Sequence, residues 1–498
     1  MRSEDRRLGL IGVATGARDL ENGIVERLDE AVDPVRHGGR LADFFASLED
    51  GRITLRLVYA QDEEKRYRLL EWPIEERHYP AISGVVPAAF VEENEIYEQF
   101  GVRPAGSRAL NRVFLPPHAG GEFPRLGALS DEGPGLQTPH LVTGDAFEFP
   151  FGPVRAVAQE SLYMGLVTSG EEVLELYLLM WHKHRGLERR LVGLDGDDAL
   201  FLVERAEGLS AVGNGWAFCR ALERIAGVEV DPAVERSRAV ALELERLYNH
   251  AAATAALCQA TGLSVGQAQA EIALEELLRV NLAVFGHRYL FGVLRVGGTG
   301  VAPNVDELAT KLRRAYEEYR RLTEALWSTN SFVDRLEACG IVTNETGVRL
   351  GLVGPVTRGS GCDIDTRRDH PFGPYGESGI EVPIRQRGDV MSRLQVMESE
   401  CAESIRLISE LGSEGLGAGV VDAAPRAGSD LGWCESPRGE SLAWVQVGES
   451  GRIRRARIRP GSARNWRAFD DAARSRNVFT DVPIIEASFW LTVAGFAR

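Results

Sequence analysis

Two groups of side chains in this sequence carry the residue types that chemistry needs. The denser one runs from Arg358 to Pro371. It holds Arg358, Cys362, Asp363, Asp365, Arg367, Arg368, Asp369 and His370 between glycines and a proline. Arginine, aspartate and histidine packed between glycines and a proline form a loop, and functional groups concentrate in loops. The same residues serve equally as a salt-bridged surface loop. The second group is His182-Lys183-His184, followed by Glu188. Neutral imidazoles and a carboxylate suit a divalent metal. An H-x-H pair at a strand end also serves as plain structure, and no residue that would orient it as a ligand is legible.

Other chemistries are excluded. The sequence has no G-x-x-x-x-G-K-S/T phosphate loop, no G-x-G-x-x-G after a strand and no G-x-S-x-G nucleophile elbow. Gly213-Asn214-Gly215 and Gly297-Gly298-Thr299-Gly300 are too short or misplaced to cradle a dinucleotide. The cysteines are Cys219, Cys258, Cys339, Cys362, Cys401 and Cys434, and no two stand at C-x-x-C spacing. Six in 498 residues do not make a secreted disulfide framework, so a reducing compartment is the simpler reading. The net charge of −16 repels a polyanion, and no nucleic-acid partner is expected. All but Lys65, Lys183 and Lys311 of the 57 basic residues are arginine, which reads as codon composition.

The elements that must position these groups fall into two parts. Up to about Leu115 the chain mixes β-like runs with helical stretches. Ile53 to Tyr59 (ITLRLVY) reads as a strand. Pro116 to Pro150 is rich in Gly, Pro and short polar residues and reads as a linker. Residues 152–178 read as short strands. From about Asp198 to Arg335 helical periodicity dominates. Asp231-Pro232 is a helix start, with a capping side chain and proline in the first turn. Val240, Leu244, Leu247, Ala251, Ala255 and Cys258 recur at spacings of three and four and form one apolar stripe, with Gly262 as its stop. A second long helix is expected from about Gln267 to Leu290, and a later one from about Asp389 to Leu411. Arg452, Arg454, Arg455, Arg457 and Arg459 interleave with Ile453 and Ile458. They read as a cationic strand, either an edge protected by charge or a face that docks an acidic surface.

No apolar run approaches the roughly 20 residues needed to span a bilayer. Arg6-Arg7 and the short apolar stretch Leu8 to Ala17 imitate an export signal, but Glu4 and Asp5 argue against one.

Several segments together resemble one family. Glu235 to Gly262 (ERSRAVALELERLYNHAAATAALCQATG) resembles the central helix of formate-hydrogenlyase-type hydrogenase large subunits and of the quinone-site D-type subunit of complex I. So do Phe285 to Gly298 (FGHRYLFGVLRVGG), Gly354 to Tyr375 (GPVTRGSGCDIDTRRDHPFGPY) and Glu381 to Val396 (EVPIRQRGDVMSRLQV). Gly432 to Glu440 (GWCESPRGE) and Asn465-Trp466 are similar to the hydrogenase branch. Tyr79 to Val102 (YPAISGVVPAAFVEENEIYEQFGV) resembles the signature of the C-type subunit of complex I, with Glu93, Glu95, Tyr97, Phe100 and Gly101 in place. The resemblance implies an α+β fold. A small α/β domain like the complex I C-type subunit (residues 1–115) and a Gly/Pro-rich linker (116–150) precede a large domain (151–498). That domain resembles the hydrogenase large subunit and the complex I D-type subunit, a helical bundle with small flanking β-sheets.

The same resemblance implies where chemistry has changed. Two C-x-x-C pairs hold nickel and iron in the hydrogenases; their positions here are Glu207, Ser210, Thr492 and Gly495. Soft thiolates are what such metals require, so a nickel–iron site is expected to be absent. The quinone-holding histidines and tyrosine of the D-type subunit fall on Arg155, Gln159 and Gly208. Glutamine can hydrogen-bond a quinone but cannot deliver a proton as histidine does. His184, Glu188, Arg205, Arg358, Asp363, Asp369 and His370 match residues that border the family's cavity. They are either a proton-relaying set or residues kept for folding. The expected function is that of a subunit in an NADH:quinone oxidoreductase-like or energy-converting hydrogenase-like complex. It would take electrons from a partner's iron–sulfur cluster to an unidentified acceptor, with quinone a candidate. A non-catalytic coupling subunit and an active hydrogenase are the alternatives. The expected partners are an iron–sulfur small subunit and antiporter-like membrane subunits. Its place would be cytoplasmic, at the inner face of the cell membrane.

Overall fold

The β-forming run at Ile53 to Tyr59 lies inside strand β3 (Arg52–Gln61), the centre of a four-stranded sheet. β3 pairs antiparallel with β2 (Arg40–Glu49) and β4 (Arg66–Ile74), and β1 (Leu20–Ile24) pairs parallel with β4. The computed structural model describes residues 19–49, 51–107, 110–115, 146–155, 160–424, 426–474 and 476–498. Both faces of this sheet are covered. Leu55, Leu57 and Tyr59 face one core with Tyr79, Ile82 and the helix α1 (Phe90–Phe100). Val58 and Ala60, one residue out of phase, face a second core shared with the large domain. There Phe45 meets Trp444 at 5.3 Å between ring centroids, and Tyr67 meets Trp433 at 4.9 Å.

The chain is described again from residue 146. Phe147–Phe151 forms strand β5, which corrects the end of the segment read as loop. Its pairing with β6 (Tyr163–Ser169), which pairs in turn with β7 (Glu172–Leu179), makes a strand of a segment whose composition alone reads as linker. The other linker residues, 116–145, and the export-like stretch at the N-terminus lie outside the described residues.

The bundle follows: α2 (Gly196–Val203), α3 (Ala211–Ala226), α4 (Pro232–Ala260), α5 (Ser264–Phe285), α6 (Val305–Trp327) and α7 (Val390–Ser413). α4 starts as expected. The Asp231 carboxylate accepts from Ala233 N at 2.8 Å and Pro232 opens the first turn. The helix is buried on nearly every side, so Arg238, Glu243, Glu245, Arg246 and His250 must find partners inside the protein. α5 ends at Phe285 rather than near Leu290, because Gly286 adopts φ +75° and closes the helix.

A three-stranded antiparallel sheet, β8 (Gly428–Ser436), β9 (Gly439–Val447) and β10 (Ile453–Arg459), packs on α3. β10 is the arginine strand. It is an edge by pairing, yet Arg457 and Arg459 are buried. Arg457 is bound by Asp43 at 2.9 and 3.0 Å and by Glu95. Arg459 is bound by Glu440, and Arg455 reaches Glu188 at 3.3 Å. The acidic surface this strand docks therefore belongs in part to the chain's own first domain.

Candidate functional site

Glu207, Ser210, Thr492 and Gly495 meet. Thr492 Oγ1 donates to Glu207 Oε2 at 2.7 Å and accepts from Gly495 N at 3.0 Å, so one hydroxyl joins the two loops and caps the terminal helix Val493–Phe496. A methyl group at Gly495 would fall 2.3 Å from Glu207 Oε2. The fourth position is joined through Arg438, which donates from Nη1 to Ser210 Oγ at 2.7 Å and to Gly208 O at 2.9 Å. The same Nη1 stands 3.7 Å from Glu207 Oε1. Glu207, Ser210 and Thr492 are all buried.

Two backbone strains shape this place. Leu209 holds φ +66° and Trp490 φ +52°, conformations that side chains rarely adopt. Both are pinned. Leu209 O accepts from Tyr248 OH at 3.2 Å and from Asn249 Nδ2 at 2.5 Å, and Trp490 O accepts from Arg438 Nε at 2.5 Å. Asn249 also accepts from Trp490 Nε1 at 3.1 Å, so α4 ties the two loops together. Gly208 faces open space where a side chain would project.

Next to this cluster, Glu245 accepts from Val212 N at 2.7 Å and Gly213 N at 2.9 Å, at the start of α3. Burial pushes its pKa up to about 8, against the pull of those two amides and Arg438. One residue on, Arg246 begins a buried ionic core. Arg246 binds Glu243 at 3.0 Å, and Arg367 binds Glu243 at 3.1 Å and Asp365 at 2.8 Å. Arg358 binds Glu400 at 2.7 Å and Glu435 at 2.9 Å, and His250 Nε2 lies 2.9 Å from Glu400. Burial opposes ionisation of Glu243 and Glu400, yet the guanidiniums beside them hold both carboxyls at about 2.

The other residues proposed from sequence each engage partners of their own, and Glu188 lies near enough to His184 to act on its charge. Glu188 accepts from Arg498 Nε at 2.9 Å and from Ile458 N at 3.1 Å; burial would raise its pKa, but Arg498, Arg457 and Arg455 lower it. His184 stacks on Phe114 at 5.7 Å. Among the described residues no group of three His, Cys, Asp or Glu is placed to hold a metal; His182 lies within the short 3-10 turn Trp181–Lys183 and His184 caps its end. Arg205 lies over the rings of Phe201 and Phe291, at 3.7 and 4.4 Å. Asp363 is exposed and pairs with Arg368 at 2.5 Å. Asp369 accepts from Arg368 at 2.7 Å, while His370 Nε2 lies 2.8 Å from Asp62 and the ring stacks on Tyr67 at 4.2 Å. His370 thus sits at the junction with the first domain. Arg155 makes a two-pronged pair with Glu486, at 2.6 and 2.9 Å, and Gln159 lies outside the described residues.

Sequence reasoning missed Arg438 and Glu245. Arg438 stood within GWCESPRGE, but nothing in its spacing tells that it reaches residues 230 positions away. Glu245 was one of several acids on α4, and what distinguishes it is that backbone amides of α3 hold it where guanidiniums hold the equally buried Glu243.

The architecture is that of a 30 Kd-type sheet domain and a 49 Kd-type helical domain carried in one chain. The family model of the respiratory-chain NADH dehydrogenase 30 Kd subunit matches residues 31–125, and that of the 49 Kd subunit matches residues 272–427. Formate hydrogenlyase subunit 5 of Escherichia coli (strain K12) is 28% identical over 435 residues, covering 82% of this chain and 75% of its own. The carbon monoxide-induced hydrogenase of Rhodospirillum rubrum is 28% identical over 347 residues, 68% of this chain and 96% of its own. The NADH-quinone oxidoreductase C/D subunit of Phocaeicola vulgatus is 25% identical over 423 residues, 78% of this chain and 81% of its own. The chain belongs to this complex I and formate-hydrogenlyase-type family, as a fused C/D-type subunit. No helix among its described residues is long and apolar enough to cross a membrane.

Proposed function

We propose that this chain is a peripheral subunit of a membrane-associated complex of the NADH:quinone oxidoreductase and energy-converting hydrogenase kind, and that it works without nickel and iron. An iron–sulfur small subunit would donate its electrons and antiporter-like membrane subunits would seat it. The division near residues 115 and 150 and the family cavity roles of the residues above are part of the same proposal.

The observation that carries it is the joined set Glu207–Thr492–Gly495 and Arg438–Ser210. A carboxylate, two hydroxyls and a glycine offer no thiolate, and a guanidinium already faces the carboxylate. The donor set does not fit a nickel–iron group. Open space at Gly208, whose carbonyl Arg438 holds, offers an acceptor a place beside a fixed cation. Arg155 supports the second reading, a coupling subunit with no redox step of its own. Its guanidinium is engaged by Glu486 and is not free to hold a headgroup.

The test is on the intact complex. Nickel content and hydrogen evolution from reduced viologen are expected to be far below one per chain and at background. Stoichiometric nickel would overturn the reading. Electron transfer to a soluble quinone analogue, lost on Gly208→Trp with assembly intact, supports the redox role. Unchanged transfer assigns the coupling role instead.

A further inference from the structure

Four arginines meet where the first domain joins the large one. Arg40 comes from β2 and Arg459 from the end of β10, while Arg464 lies in the short helix Gly461–Asn465 and Arg467 in the turn after it. Their side chains are at most 8% exposed. Two carboxylates answer them. Glu440 accepts from Arg40 at 2.7 and 3.1 Å and from Arg459. Glu92 of α1 accepts from Arg464 at 3.0 Å and from Arg467, both on the one oxygen Oε1. Two further carboxylates stand close and are engaged elsewhere. Asp43 is held by Arg457, and Asp62, 3.6 Å from Arg40, pairs with His370. Positive charge is therefore in excess here among the described residues.

Donors are in excess as well. Arg40 Nε, Arg459 Nε, Arg467 Nε and both Nε and Nη2 of Arg464 are buried and meet no acceptor among the described residues. Nε and Nη2 are the two prongs of one guanidinium edge, so a complete fork of Arg464 is without a partner. Buried donors without acceptors and buried charge without counter-charge are both costly. Burial pushes the Arg464 and Arg467 guanidiniums down to about 9, and the charges of Arg459 and Arg40 push Arg464 the same way against the pull of Asp43 and Glu440. Arg464 Nη2 turns toward Gly351. A methyl group on Gly351 would stand 3.5 Å from that nitrogen, 3.5 Å from Arg40 Cγ and 3.3 Å from Leu41 O. Arg464 and the stem of Arg40 thus line one narrow space, with the Leu41 carbonyl closing one side. We propose that this junction binds one small inorganic anion of chloride's size on the free fork of Arg464, with Arg40 and Arg459 behind it, and that the anion helps to seat the first domain on the large one. A spherical anion accepts from several N–H groups without directional demand, and the closure of the junction leaves larger oxoanions outside. This inference does not depend on the function proposed above.

Thermal unfolding of the full chain in sodium chloride, bromide and gluconate at one ionic strength tests it. At saturating halide the midpoint is expected about 2–3 °C above that in gluconate. Equal midpoints overturn the proposal, because simple screening depends on ionic strength alone. Arg464→Met should lose the halide increment and be no less stable than wild type in gluconate, since Glu92 keeps Arg467 and an uncompensated charge is gone. A variant that retains the increment counts against the site. Crystals of the full chain grown in bromide give a reading that needs no variant. Anomalous density at hydrogen-bonding distance from Arg464 Nη2 is expected, and density only at the surface, or none, overturns the proposal.

Discussion

Thr492 Oγ1 and Glu207 Oε2 are 2.7 Å apart although 285 positions separate them in sequence. The hydroxyl donates to the carboxylate and accepts from Gly495 N, which leaves no room for a side chain at position 495. Gly495→Ala should therefore destabilise by about 1–3 kcal/mol. Glu207→Ala should remove most of that cost, so the double variant is less destabilised than the sum of the two. Urea unfolding of all four proteins measures the coupling. Additivity to within about 0.5 kcal/mol would mean that the two positions do not meet.

Arg438 is the second anchor. Arg438→Met strips the guanidinium from Ser210, Gly208 O and Trp490 O and leaves Glu207 buried without a cation. A loss of about 3–5 kcal/mol is expected. Arg438→Lys should fall between, because an ammonium keeps the charge but not the planar fork. Arg438→Met with Glu207→Gln should recover part of the loss in thermal unfolding. No recovery would deny the charge pairing.

Glu245 gives a pH signature. Its carboxyl is raised from 4.5 to about 8 by burial, so the folded chain holds a proton that the unfolded chain has lost. That contribution is present in full below pH 4.5 and is lost as pH rises through about 8. The slope is up to about 1.4 kcal/mol per pH unit. Glu245→Gln should remove this slope, so that wild type weakens relative to the variant between pH 5 and pH 8. Parallel stability curves for the two would sink the assignment.

At the junction of the domains, Arg457→Met leaves Asp43 and Glu95 without their shared cation. About 3–5 kcal/mol should be lost. Arg452→Ala, on the same arginine run but exposed, should change stability by less than about 0.5 kcal/mol. Thermal unfolding compares them, and equal effects would contradict the burial difference.

The sequence determined what local physics can write. Asp231-Pro232 starts α4, the β-rich run Ile53–Tyr59 is a strand, and Asp389 caps α7. The spaced motifs placed the chain in its family, because each is a contiguous run of residues. Tertiary structure alone decided the partners. Nothing in Arg452–Arg459 tells which arginines are buried, since that depends on Asp43 and Glu95 arriving from another domain. Asp369 and His370 adjoin in sequence yet contact different groups, Arg368 and Asp62. The family resemblance marks Glu207 only as the place of a lost cysteine; its actual partners appear when the last turn of the chain brings Thr492 and Gly495 against it. A buried charge takes its meaning from the group that compensates it, and here that group comes from the far end of the chain.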